Sequence, residues 1–180
     1  RVRLRFAEIL KPDGHIYRDN LRRAESTDTF ILSGEGESEE VFEPHFTYHG
    51  FRYVELTGLP GEPDLETITG QVIHTDAPVT GRLETSSELV NKIWLNTLWG
   101  QRGNFVSVPT DCPQRDERLG WMGDAQAFWR TACFNMDLLA FTHKWMRDVV
   151  EAQGEKGDFS DVSPRIIATN TGAPAWGDAG

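Results

Sequence analysis

Apolar and polar residues alternate with period two at the start of the chain. In Val2-Arg3-Leu4-Arg5-Phe6 the apolar side chains fall on one face of a strand and the arginines on the other, because successive residues of an extended chain point to opposite sides. Lys11-Pro12-Asp13-Gly14 follows as a turn, since proline presets φ and glycine accepts a positive φ. Further strands are predicted at Thr29 to Ser33, Phe46 to Thr57 and Thr67 to His74, with Gly50 marking a bulge or bend inside the second. Gly34 to Glu40 is acidic and reads as a solvated loop. Short strands separated by such turns predict the last part of a β-sandwich or jelly roll, reaching to about residue 80.

The period changes beyond a linker at Asp76 to Gly81. Thr85-Ser86-Ser87-Glu88 matches a capping box, and Leu89, Ile93 and Thr97, flanked by Val90, Trp94 and Leu98, then recur at helical spacing. A second helical stretch begins near Ala125, with Phe128 and Ala132 on one face, and runs on through Phe141, Trp145 and Val149. Asn135-Met136-Asp137 is expected to divide it. Trp94, Trp99, Trp129 and Trp145 read as core residues. From Gly154 onward Gly, Asp, Ser and Pro predict loop. The expected organisation is a β domain over residues 1–80 followed by an α domain over 81–180, without internal repeats. The chain opens inside a strand without Met and stops on WGDAG without closing an element, which reads as a fragment of a longer protein.

Composition narrows the class of partner. The chain has 180 residues, 38% of them hydrophobic, enough for a packed core. Asp and Glu number 28 against 18 Lys and Arg, a formal net charge of -10, so neither a nucleic acid nor a membrane is expected as partner. No run approaches the roughly 20 apolar residues of a membrane span. Cys112 and Cys133 lack CxxC spacing and a cluster of partners, which argues against zinc and against a disulfide scaffold. The acidic positions lack the spacing of an EF-hand. No cofactor and no metal ligand is expected.

The candidate chemistry lies between the two helical regions. Residues 107–124 hold four carboxylates, two arginines, two prolines and a tryptophan in eighteen positions, with neither a strand nor a helix period to explain them as a core face. A carboxylate beside arginine and an apolar ring can be tuned in either direction, since a cation lowers its pKa and desolvation raises it. Glu117, Trp121 and Asp124 are spaced to share one face of a helix, but Gly120 and Gly123 speak against a regular helix there. Rings and carboxylates together suit a sugar, which offers a C–H face to the one and hydroxyls to the other. Trp176 and Asp178 would extend the same surface.

Plainer readings stand beside these. Asp124 is a suitable N-cap for a helix starting at Ala125. Glu117 with Arg115 or Arg118 reads as a surface ion pair, and Trp121 and Trp176 as core. Cys112 as a nucleophile would need a histidine base, and His143 sits on a predicted helix; a small buried thiol is the favoured reading.

The segment PTDCPQRDERLGWMGDAQAFWRTACFNMD resembles the signature region of the bacterial α-L-rhamnosidases of glycoside hydrolase family 78. The similarity continues through EPHFTYHGFRYVELTG, WGQRGNFVSVPTD and GAPAWGDA. It implies the end of a β-sandwich (jelly-roll-like) domain followed by the first helices of an (α/α)6 barrel. It also implies inverting hydrolysis of terminal α-L-rhamnosyl bonds in oligosaccharides or glycosides. Residue by residue, the resemblance makes Glu117 the general acid and Asp111, Arg115, Trp121, Asp124 and Trp176 the sugar contacts. Met122 departs from the threonine frequent there, which is expected to alter local packing only. The family's general base, a later glutamate, has no counterpart in these residues, so the fragment alone is expected to be inactive. Two other classes fit the same residues: a non-catalytic carbohydrate-binding module, and an (α/α)6 glycosidase acting on another glycone.

Overall fold

The computed structural model describes residues 1–34, 39–166 and 172–180. The chain folds as two compact units, residues 1–72 with 113–116, and residues 73–112 with 117–180.

In the first unit the strands are β1 (Val2–Ala7), β2 (Ile9–Leu10), β3 (Ile16–Tyr17), β4 (Thr27–Phe30) and β5 (Tyr53–Thr57). β1 is the middle strand of an antiparallel sheet ordered β4-β1-β5, and β2 and β3 form a separate hairpin. The alternation in β1 works as expected, with Val2 and Phe6 buried. Arg5 faces Glu55 across the β1–β5 register and its Nε donates to Glu55 Oε1 at 2.7 Å. Phe6 stacks on His49 with ring centroids 4.3 Å apart, and His49 Nε2 lies 3.0 Å from Asp28 Oδ1. The predicted turn closes the β2–β3 hairpin, with Gly14 at φ 86°.

Three strand expectations need correction. β4 lies two residues earlier than Thr29 to Ser33 predicts. Within Phe46 to Thr57 only β5 is strand, and the reason is visible at Gly50. Its N–H donates to Pro113 O at 3.0 Å, so the amide is used outside any ladder. A Cβ on Gly50 would stand 2.7 Å from Pro113 Cγ, so the glycine serves a close approach and not a bulge. Thr67 to His74 forms no strand. Thr67 is instead tied into a turn, its Oγ1 accepting the Asp64 N–H at 2.9 Å, a local bond that competes with extended pairing. Of the acidic loop predicted over Gly34 to Glu40, residues 35–38 lie outside the described residues.

The second unit holds α1 (Glu88–Asn104), β6 (Phe105–Val106), β7 (Val108–Pro109), α2 (Met122–Asn135) and α3 (Leu139–Glu151). The capping box does not form, because the helix starts at Glu88 with Ser87 as N-cap and no side-chain cap bond. Asn91 holds the entry instead, accepting the Thr85 N–H at 2.8 Å and donating to Thr85 O at 2.9 Å. The predicted stripe of α1 is also displaced. Leu89, Val90 and Ile93 are exposed, whereas Leu98 and Gln101 are buried and Trp94 is partly so. Trp99 is not core; it is 48% exposed with the Arg102 guanidinium 4.7 Å from its ring.

The break between α2 and α3 and the face of α3 follow the expectation. Phe141, Trp145 and Val149, one turn apart, are all buried. Phe105 stacks on Phe141 at 4.7 Å and Trp129 on Trp145 at 5.1 Å, and Trp129 packs against both apolar clusters of this unit. A polar seam runs through the same core. Asn135 Nδ2 donates to Gln101 Oε1 at 2.9 Å, and Gln101 Nε2 donates to Ala132 O at 3.2 Å. Asn135 O accepts the amides of Thr80 and Gly81, each at 3.0 Å. Buried amides are thus satisfied while fixing α1, α2 and residues 80–81 together. Of the loop predicted from Gly154, residues 167–171 lie outside the described residues, and a short 3-10 turn, Gly177–Ala179, closes the chain.

Candidate active site

The segment leading into α2 is irregular but well tethered. Thr110 anchors it to the end of α1, its N–H and Oγ1 reaching Asn104 O at 2.9 and 2.8 Å. Asp111 and Leu119 are then bonded twice: the Asp111 N–H donates to Leu119 O, and the Leu119 N–H donates to Asp111 Oδ1, both at 3.2 Å. This closure returns Glu117 toward Asp111.

One donor atom from each of Asp111, Cys112 and Glu117 lies within 4.8 Å of the others. Cys112 is buried, as the sequence suggests, and its Sγ–H donates to Glu117 Oε2 at 3.8 Å. Burial pushes the Asp111 carboxyl above its ordinary value, and the hydrogen bond and charge of Glu117 push the same way. The Cys112 thiol and the Leu119 N–H oppose them. Two carboxyls this close resist double ionisation and tend to hold a proton between them. Three such ligand atoms would also suffice to surround a small cation, and the half-buried acid pair by itself suits proton storage.

The other predicted residues are placed as follows. Arg115 lies in the 113–116 stretch that folds with the first unit, where the neighbouring Gln114 donates to Glu8 Oε2 at 3.1 Å. Trp121 is the N-cap of α2 in extended conformation and bridges to Val162. Its half-buried indole leaves Nε1 without a hydrogen-bond partner among the described residues. Asp124 is not the N-cap, because α2 starts at Met122 and takes in Gly123. It sits exposed in the first turn, where a carboxylate complements the helix dipole. For the same reason Glu117, Trp121 and Asp124 do not share a helical face, Glu117 lying outside the helix. Trp176 is not core; it is 36% exposed, and its ring lies against Gly123, beside Asp124 in sequence.

Two residues that the sequence reading passed over build this seat. Asp161 accepts the Met122 N–H through its carbonyl at 2.8 Å and the Ala173 N–H through Oδ1 at 2.7 Å. Gln126 Nε2 donates to Ala175 O at 3.0 Å. Neither carries a signal in sequence, since one is an aspartate among loop residues and the other a glutamine on an exposed helix face. Among the described residues no helix is long and apolar enough to cross a membrane.

Residues 1–74 match the model of the bacterial alpha-L-rhamnosidase concanavalin-like domain, and residues 78–180 that of the bacterial alpha-L-rhamnosidase 6 hairpin glycosidase domain. The class is therefore a sandwich-type domain followed by a helical hairpin glycosidase domain. The chain is 54% identical over 179 residues to an alpha-L-rhamnosidase of Streptomyces avermitilis, covering 99% of this chain and 17% of that protein. It is 44% identical over 179 residues to one from Formosa agariphila, covering 98% and 19%. Among solved structures it superposes on the Streptomyces avermitilis alpha-L-rhamnosidase complexed with L-rhamnose with a TM-score of 0.93 at 53% identity, covering 99% of this chain and 17% of that one. The alpha-L-rhamnosidase of Dictyoglumus thermophilum gives 0.94 at 49% identity, covering 99% and 20%. The chain belongs to the bacterial alpha-L-rhamnosidase family, and it spans less than a fifth of the length of these curated relatives.

Proposed function

We propose that this chain forms part of an inverting glycoside hydrolase that releases terminal α-L-rhamnose, with α1 to α3 contributing to an (α/α)6 barrel. The observation that carries the reading is the Asp111–Glu117 carboxyl pair, in which burial and the second acid hold Asp111 above its ordinary range. A family member's complex with L-rhamnose supports the choice of sugar.

Glu117 is the general acid and protonates the departing glycosidic oxygen. The Asp111 carboxyl beside it is held above its ordinary value by burial and by Glu117, so the pair resists double ionisation. Arg115 and Asp124 orient the rhamnose hydroxyls as charged hydrogen-bonding groups and Asp111 does so as a further hydrogen-bonding carboxyl, the place of Arg115 resting on the motif alone. Trp121 and Trp176 offer their rings to the apolar face of the sugar. Inversion needs a second carboxylate roughly 6.5 to 9.5 Å from the first, activating water on the opposite face. That base is assigned to a part of the whole protein other than these 180 residues.

Hydrolysis of aryl α-L-rhamnopyranosides by the full-length protein tests the reading. Glu117→Gln is expected to lose activity chiefly on a substrate with a poor leaving group and to spare one with a good leaving group, which needs less protonation. No turnover by the wild type would move the assignment to a binding module or to another glycone.

A further inference from the structure

Gly123 is the second residue of α2. Its backbone does not ask for glycine, because its φ is not among the positive values of this chain. Alanine there would be the better helix former. What does ask for glycine is a neighbour: a Cβ built on Gly123 would meet Trp176 Cε2 at 2.7 Å and Trp176 Cδ2 and Nε1 at 2.8 Å each. The three nearest atoms all belong to that one indole, so the ring lies directly on the bare backbone of the first turn.

The loop bearing Trp176 is fastened independently of this contact. Gln126, one turn further along α2, donates to Ala175 O at 3.0 Å, and Asp161 Oδ1 accepts the Ala173 N–H at 2.7 Å. Ala175 itself is held at φ 72° with its N–H donating to Asp178 Oδ2 at 3.2 Å. With the backbone that leads into the ring fixed at residues 173 and 175, the height of the ring above α2 is set by what stands beneath it. A methyl group at 123 cannot push the loop away without breaking these bonds, so it displaces the ring.

We propose that Gly123 is a positioning residue for rhamnose binding, its missing side chain setting the depth at which the Trp176 ring meets the sugar. The inference rests on the reading that Trp176 lines the rhamnose pocket. Gly123 touches no substrate; it acts through the ring alone, and its substitution should therefore matter only while the ring is present.

The test is a double-mutant cycle in the full-length protein with Gly123→Ala, Trp176→Ala and both together, assayed on an activated aryl α-L-rhamnopyranoside. Gly123→Ala is expected to raise KM on the order of tenfold, as a misplaced sugar contact does, with kcat changed far less. In the Trp176→Ala background the same substitution should add nothing. Gly123→Ala with unchanged KM, or with an effect that multiplies that of Trp176→Ala, overturns the proposal. The fluorescence of Trp176, taken as the difference between each protein and its Trp176→Ala counterpart, reports ring position without sugar. An unaltered difference spectrum in Gly123→Ala also overturns the proposal. If that spectrum shifts while Trp176→Ala leaves KM unchanged, the placement of Trp176 in the sugar pocket is what fails.

Discussion

Trp145 donates its indole N–H to the carbonyl of Ser163 at 3.0 Å. Ser163 in turn donates its N–H to Gly120 O at 2.9 Å, and a Cβ on Gly120 would stand 2.0 Å from Ser163 O. A buried side chain of α3 therefore fixes a loop that fixes the residue before Trp121. The core and the proposed sugar site are connected through three backbone groups.

That connection gives a stability prediction. Trp145→Phe keeps an aromatic ring in the stack with Trp129 but leaves the Ser163 carbonyl without its donor. An unsatisfied buried acceptor costs about 1–3 kcal/mol, and thermal unfolding of the full-length protein should show a loss of that size. Unchanged stability would mean that another donor replaces the indole.

Asp111 predicts a pH dependence with a definite sign. Its carboxyl is raised in the folded chain from an ordinary value of 3.8, so the native state holds the proton more tightly than the unfolded state does. Stability from this group is complete below 3.8 and is lost as pH rises through the folded value. Asp111→Asn keeps an oxygen for the Leu119 N–H and removes the ionisation. It should unfold at a higher temperature than wild type at neutral pH, with the difference vanishing below pH 3.8. A difference independent of pH would refute the assignment.

Inversion predicts the anomer. NMR followed from the first minutes of hydrolysis by the full-length protein should show β-L-rhamnose before mutarotation mixes the forms. The α anomer appearing first would assign a retaining mechanism.

The exposed apolar residues of the helical unit predict its behaviour alone. Leu89, Ile93, Phe134, Leu139 and Val150 are each more than half exposed, far more apolar surface than scattered single residues account for. Residues 84–180 expressed by themselves should self-associate and bind a hydrophobic dye. A monomer with one sharp thermal transition would show that these faces need no partner.

What was legible in the sequence divides along physical lines. The β1 alternation, the Pro-Asp-Gly turn and the i, i+4 apolar row of α3 are local periodicities with burial on one face, and they appear as expected. The misplaced features are those in which a distant group decides. Gly50 is spoken for by Pro113, the start of α1 by Asn91 reaching back to Thr85, and Gly123 by the Trp176 ring, none of which a window of neighbouring residues contains. The stripe of α1 misled because hydrophobicity does not say which apolar face is covered within these residues, and here Leu98 and Gln101 turn inward while Leu89 and Ile93 do not. At the candidate site, composition drew attention to residues 107–124, and the resemblance named Asp111 and Glu117. Their closeness follows from the paired bonds between Asp111 and Leu119, which sequence does not announce.

Residues 113–116 pack with the first unit although their neighbours on both sides belong to the second. Ownership of the chain is therefore interleaved, and no single cut can release either unit whole. Severed at residue 72, the β unit would leave behind the carbonyl that receives the Gly50 amide and the amide group that reaches Glu8. Anyone transplanting this sandwich to another protein would have to carry a four-residue graft from the middle of the motif that holds Arg115.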